Sequence, residues 1–160
     1  MDNDTEKVVL AKDIMNTEVY SVLPDTTIKE VARIMIEKRI SAVPVVSKYQ
    51  KVLGVVSEGD LIHKIVKPHE PGIWTFLSHA MLKSKSEVLE YRKALARWNA
   101  QTAEEAMTSP VLCVDKNEPV SQVAEKMMEN KVKRVIVEEE GHLAGIISRA
   151  DFVKLIFEEE

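Results

Sequence analysis

Apolar residues recur at Ile28, Val31, Ala32, Met35 and Ile36, the spacing that lines one face of a helix. The same spacing returns at Val120, Val123, Ala124, Met127 and Met128. The methionines on these faces read as core filling. Thr27-x-x-Glu30 is a capping box at the start of the first helix, and Pro119 suits the first helical position of the second. Each helix is preceded by a short β-rich piece, residues 19–22 and 111–114. Each is followed by two compact apolar runs. Residues 42–46 and 52–56 flank the polar turn 47–51; residues 134–137 and 143–147 flank the turn 138–141, where Gly141 supplies a positive φ. Such near-continuous runs predict strands covered on both faces or packed under a helix. A closing helix is expected over residues 60–66 and again over 151–158.

These elements are two copies of one pattern. At a displacement of 92 positions, Asp13-Ile-Met15 falls on Glu105-Ala-Met107, Val31-Ala32 on Val123-Ala124, and Val43 and Val45 on Val135 and Val137. One residue is lost in the second turn, and the displacement becomes 91. Gly54, Ser57 and Asp60 then fall on Gly145, Ser148 and Asp151. A tail over residues 1–9 is followed by a β-α-β-β-α copy at 10–66 and another at 103–158. The fold class is α/β (α+β). A unit of roughly fifty residues is too small to be comfortable alone, so the two are expected to pack around a pseudo-twofold axis as one module.

Between the copies lies a segment, residues 67–102, that reads as a helical hairpin. Pro68 and Pro71-Gly72 signal a loop. Ile73, Phe76, Leu77, Ala80 and Met81 keep helical spacing. Ser86 can cap a second helix carrying Val88, Leu89, Leu95 and Trp98, and Thr102-x-x-Glu105 is another capping box. The aromatic residues Trp74, Phe76, Tyr91 and Trp98 either pack on their own module or form a dimer or partner surface.

Composition narrows the function. The 160 residues are 45% apolar and 30% charged, a globular profile. No stretch approaches the ~18–20 apolar residues of a membrane span, and the polar, acidic first residues resemble neither a signal nor a transit peptide. The expected location is cytoplasmic. One cysteine, Cys113, excludes an internal disulfide and a cysteine metal cluster; in a predicted strand it reads as core. His63, His69, His79 and His142 show no metal spacing, and no Walker loop is present. No catalysis and no obligatory cofactor are expected. A net charge of −4 argues against nucleic acid as a partner.

Taken in order and twice, Asp13-Ile-Met15 and Glu105-Ala-Met107, Val43-Pro-Val45 and Val135-Ile-Val137, and Gly54-Val-Val-Ser-Glu-Gly-Asp60 and Gly145-Ile-Ile-Ser-Arg-Ala-Asp151 resemble a tandem pair of cystathionine-beta-synthase (CBS) domains, a Bateman module. The resemblance implies binding of adenine nucleotides (AMP, ADP, ATP) or related adenosyl compounds such as S-adenosylmethionine in clefts between the repeats. It implies regulation rather than catalysis. The central segment departs from the minimal module, whose linker is usually short.

The candidate chemistry lies at the two Ser-x-x-Asp motifs, Ser57 with Asp60 and Ser148 with Asp151. A carboxylate at a strand-to-helix junction can accept hydrogen bonds from both ribose hydroxyls, and the serine can reach ribose or phosphate. The same spacing is also an ordinary helix N-cap. The copies differ in charge. Lys131, Lys133, Arg134 and Arg149 of the second stand where the first has Arg39, Ser41, Ala42 and Glu58. In the family, basic residues just before the middle strand often reach phosphates. Lys133 and Arg134 hold those positions, and Arg149 is a third candidate. A base could lie between Val19, Val22, Ile40 and Val43 with Pro44, or between Val111, Val114, Val132 and Val135; these are core by default, and only the ends lining a cleft would touch ligand. The Asp151 site is therefore expected to be the better one. The expected protein is a ligand-sensing homodimer that signals to an unknown effector protein. The alternative is a scaffold that uses the helical segment and has degenerate clefts.

Overall fold

A computed structural model describes residues 8–69 and 86–158. The elements run α1 (Ala11–Ile14), α2 (Ile28–Lys38), β1 (Ala42–Val46), β2 (Val52–Ser57), α3 (Glu58–Ile62), α4 (Ser86–Asn99), α5 (Ala103–Ala106), β3 (Cys113–Asp115), α6 (Val120–Glu129), β4 (Arg134–Glu139), β5 (His142–Ser148) and α7 (Arg149–Glu158). They form a mixed α/β fold of two compact units. One contains the residues up to Ser21, residues 46–53 and those from Pro110 onward; the other contains Val22–Val45 and Gly54–Ser109.

In the unit that includes Pro110, three strands stand in the order β3-β4-β5. β3 runs parallel to β4, with Cys113 opposite Ile136. β4 runs antiparallel to β5, with Arg134 opposite Ser148 and a register shift after Val137. The core joins Val114, Val135, Val137 and Ile147 of the sheet to Val123 and Met127 of α6. Ala11 of α1 is fully buried in the same core. Its N–H donates to Glu118 O at 2.8 Å, and Asn16 and Ile146 exchange both backbone hydrogen bonds at 3.0 Å. The leading helix of the first copy thus completes the sheet of the second.

The other unit repeats this arrangement in reverse. β1 pairs with β2. Val22, Val31, Met35, Val43, Val45 and Val56 form the core, and Ala103 of α5 is fully buried among them. Ala103 N donates to Thr26 O at 2.8 Å, and Val55 and Thr108 exchange backbone hydrogen bonds at 3.1 and 2.9 Å. The leading segment of the second copy serves the first.

Local signals were met with some shifts. Thr27 caps α2 by accepting from Glu30 N at 3.2 Å, but the Glu30 carboxylate pairs with Arg33 instead of closing the box. Thr102 and Glu105 do close theirs, at 3.3 and 3.4 Å, and the N–H groups of Gln101 and Thr102 hold the Glu105 carboxyl below its usual range. α2 and α6 end alike, with Arg39 and Lys131 left-handed at φ 53° and Ile40 and Val132 donating back to Met35 and Met127 at 3.0 Å, a Schellman closure. Gly141 takes the expected positive φ, 78°. Pro119 stands one residue before α6, because its ψ of 136° is extended.

The largest departures from the expected bounds are at residues 19–22, 111–114 and 60–66. Residues 19–22 form no strand; Val22 makes one parallel bridge to Val45 before the turn at Pro24. The ladder in the second copy starts later than residue 111, with Leu112 O accepting from Ile136 N, so β3 spans Cys113–Asp115. α3 stops at Ile62 and gives way to i to i+3 turns at Leu61–Lys64 and Ile62–Ile65. There the Lys64 ammonium caps the end of α4 by donating to Trp98 O, at 2.9 Å, and to Ala100 O. α4 begins at Ser86 itself and half-buries Tyr91, Leu95 and Trp98, while Leu89 is exposed. The helix expected around Ile73–Met81, with Trp74 and Phe76, lies outside the described residues.

Candidate functional site

Both Ser-x-x-Asp motifs fold into the same hairpin of side chain on backbone. β2 ends at Ser57 and α3 begins at Glu58, so three residues of helix bring Asp60 back over the junction. Oδ2 of Asp60 accepts from Ser57 N at 2.8 Å and from Ser57 Oγ at 2.6 Å. Oδ1 accepts from Thr108 Oγ1 at 3.2 Å. Asp60 is 8% exposed, the one buried charged side chain among the described residues.

At the end of β5, Oδ2 of Asp151 accepts from Ser148 N and Oγ, each at 2.8 Å. Oδ1 is met at 3.3 Å by Lys154, whose side chain is 71% exposed. Asn16 is the repeat equivalent of Thr108, but its Oδ1 accepts from Glu18 N at 2.9 Å and makes an Asx turn. Asp151 lines a cavity of about 430 Å³ with Asp13, Met15, Asn16, Lys154 and Glu158. Three carboxylates against one ammonium favour a ligand that brings hydroxyl donors to this point, and disfavour a phosphate there.

The basic residues gather at the same sheet end by a different route. The register places Arg134 directly opposite Ser148, and Arg149 N donates to Lys133 O at 3.3 Å. Lys133 and Arg149 are exposed and Arg134 is half-buried. In the first copy Glu58 N donates to Ser41 O at 3.1 Å, so an acidic residue occupies the place of Arg149. Lys131 and Arg149 border an apolar groove of about 600 Å³ formed by Met127, Met128, Val132, Phe152 and Ile156. The first copy has the equivalent groove, about 500 Å³, with Arg39 and Glu58 at its edge.

The residues expected around a base are only partly available. Val19, Ile40, Val111 and Val132 are half-buried. Val22, Val43, Pro44, Val114 and Val135 are buried, and the four valines pack in the two cores. Sequence reading missed Asn16 and Thr108. The displacement of 92 had aligned them, one residue after each Asp-Ile-Met or Glu-Ala-Met motif; what it lacked was that each belongs to the opposite motif, Asn16 with Asp151 and Thr108 with Asp60. Among the described residues, no group of His, Cys, Asp and Glu is placed to hold a metal ion, and no helix is long and apolar enough to cross a membrane.

The CBS domain family model matches residues 11–67 and 103–158. The chain belongs to the CBS domain family. An uncharacterized protein of Methanocaldococcus jannaschii is 27% identical over 96% of this CBS pair and 95% of its own length. An L-aspartate semialdehyde sulfurtransferase of the same organism is 26% identical over 92% of the pair, which spans only 23% of that enzyme. Among solved structures, the CBS domain pair of protein MJ0100 in complex with 5'-methylthioadenosine and S-adenosyl-L-methionine superposes with a TM-score of 0.66 at 26% identity, over 92% of this chain and 99% of that one. CBSX2 in complex with AMP superposes with a TM-score of 0.69 at 21% identity, over 94% and 97%.

Proposed function

We propose that this CBS pair is a regulatory module that senses an adenosyl compound, binding its ribose at Asp151. The observation that carries the reading is the Asp151 carboxylate itself. One oxygen is fixed by Ser148, and the other borders a cavity where the competing donor is an exposed lysine. A cis-diol presents two donors to such a group. Lys133, Arg134 and Arg149, at the same sheet end, supply positive charge for a phosphate, with Arg suited to bidentate contact and Lys to a point charge. The AMP, 5'-methylthioadenosine and S-adenosyl-L-methionine held by structural neighbours support adenosyl compounds as the class.

The protein acts as a homodimer that signals to another protein, and it catalyses no reaction. Pairing is supported by the apolar grooves, where Ile36 and Met128 are each 78% exposed. The grooves also differ in charge at one equivalent position, so pairing unlike grooves of two chains would set Glu58 of one against Arg149 of the other. A ligand would act by its differential affinity for two states of the pair. Calorimetric titration with AMP, ATP and S-adenosylmethionine tests the reading. Asp151→Ala abolishes binding and Asp60→Ala spares it; the reverse pattern overturns the assignment.

A further inference from the structure

Helix α7 divides its residues between two places. Asp151, Lys154, Leu155 and Glu158 line the cavity beside the Ser148 motif. Arg149, Phe152 and Ile156, at i, i+3 and i+7, line the apolar groove with Met128 and Lys131. Arg149 stands where the two meet. Its N–H donates to Lys133 O at 3.3 Å, which holds its backbone at the sheet end, while the residue also borders the groove. The first copy carries the opposite charge at the equivalent place: Glu58 N donates to Ser41 O, and Glu58 lines the other groove with Arg39. Among the described residues neither Arg149 nor Glu58 has an ion-pair partner, and both are exposed. Pairing two Lys131 grooves would set two lysines and two arginines together, with no carboxylate among the residues lining them. Pairing unlike grooves gives each unpaired guanidinium a carboxylate.

We infer that Arg149 is contested between two anions: the partner subunit's Glu58 and the phosphate of a nucleotide bound beside Lys133 and Arg134. One guanidinium fork makes one bidentate pair at a time. A phosphate that recruits Arg149 takes it from the contact between chains. A ligand shifts an equilibrium only by its differential affinity for the two states, and here the difference lies in one side chain. By linkage, pairing of the chains lowers affinity for the nucleotide by the same factor. An adenosyl compound without a phosphate makes no claim on Arg149 and leaves the pair of chains intact. This inference rests on the adenosyl and dimer readings above and adds the sign of their coupling. The adenosyl group brings the ligand to the site, and the phosphate loosens the dimer.

The test is analytical ultracentrifugation of the full chain, with the dimer dissociation constant measured alone, with saturating AMP and with saturating 5'-methylthioadenosine. AMP is expected to raise that constant roughly tenfold, the weight of one charged hydrogen bond. 5'-Methylthioadenosine should leave it within about twofold. Glu58→Gln should weaken the ligand-free dimer by a similar factor and abolish the effect of AMP, while AMP still binds by calorimetry. Arg149→Glu should weaken the dimer, and adding Glu58→Arg should restore it, a rescue that damage to the fold would not produce. If AMP binds and the dimer constant does not rise, the coupling is wrong and the adenosyl reading stands. Equal loosening by 5'-methylthioadenosine, or an AMP effect that survives Glu58→Gln, also refutes it. A wild type that is monomeric without ligand overturns the inference together with the dimer reading. If neither ligand binds, the adenosyl reading fails and the inference falls with it.

Discussion

The thioether of Met15 lies directly over Gly145: a β-carbon on that glycine would stand 2.6 Å from Sδ and 3.0 Å from the carbonyl oxygen of Asn16. Met107 covers Gly54 in the same way, with Thr108 O again at 3.0 Å. The methionine can bend away, but the carbonyl belongs to the backbone clamp that holds the leading segment to the sheet. Gly145→Ala is therefore expected to lower stability by about 1–3 kcal/mol, as overpacking does. In a chain of this length that is about 2–4 °C of melting temperature per kcal/mol. Combined with Met15→Ala, the double variant should lose less than the sum of the two single losses, because the sulfur contact is shared. A strictly additive double-mutant cycle would show that the contact carries no strain.

Phosphate and ribose recognition should separate. Lys133→Ala and Arg134→Ala are expected to weaken AMP binding by roughly tenfold each, the scale of a charged hydrogen bond. They should leave 5'-methylthioadenosine, which has no phosphate, within about twofold. Competition titration with both ligands measures this. Equal losses for the two would place the basic residues away from the phosphate.

Cys113 sets an alkaline limit. Burial, with the Glu138 carboxylate beside it, raises its thiol from an ordinary value of 9.0 to about 11. The folded protein therefore keeps the proton through a range in which the unfolded chain gives it up. The associated stability is whole below about pH 9 and is lost as pH rises from 9.0 to about 11. The urea midpoint should fall over that interval in the wild type and fall less in Cys113→Ala. Iodoacetamide at pH 8 should label the native thiol far more slowly than the urea-unfolded one.

The exposed groove residues should matter to association and not to folding. Ile36→Glu and Met128→Glu change side chains that are each 78% exposed, so the melting temperature should move little. Light scattering is expected to show a dimer for the wild type and a monomer for each variant. In a Cys113→Ser background, mixed Ile36→Cys and Met128→Cys chains should form the mixed disulfide in preference to either self-disulfide. Preference for the self-disulfides would mean that like grooves pair.

Much of this was legible in the residues, and what was hidden has a common cause. Helical spacing located α2 and α6 because their apolar faces are local, and Thr27 marked its helix start because a cap is a contact over three residues. The Ser-x-x-Asp motifs were visible for the same reason. The partner of each motif was not, since Thr108 lies 48 positions from Asp60 in the chain and nothing local ties them. The valines expected around a base were ambiguous for another reason. Val43 and Val135 satisfy a strand pattern whichever side faces a ligand, and both are taken up in cores. Side-chain type alone does not distinguish a lining residue from a filling one.

The exchange of leading segments gives the repeat a history as well as a shape. A chain carrying a single copy would own a sheet edge without its covering helix and a helix without its sheet. Two such chains could satisfy both only by trading segments, as domain-swapped dimers do. Doubling the gene would turn that trade into an intramolecular one, and the positions after each traded helix, Asn16 and Thr108, would then be free to diverge one at a time.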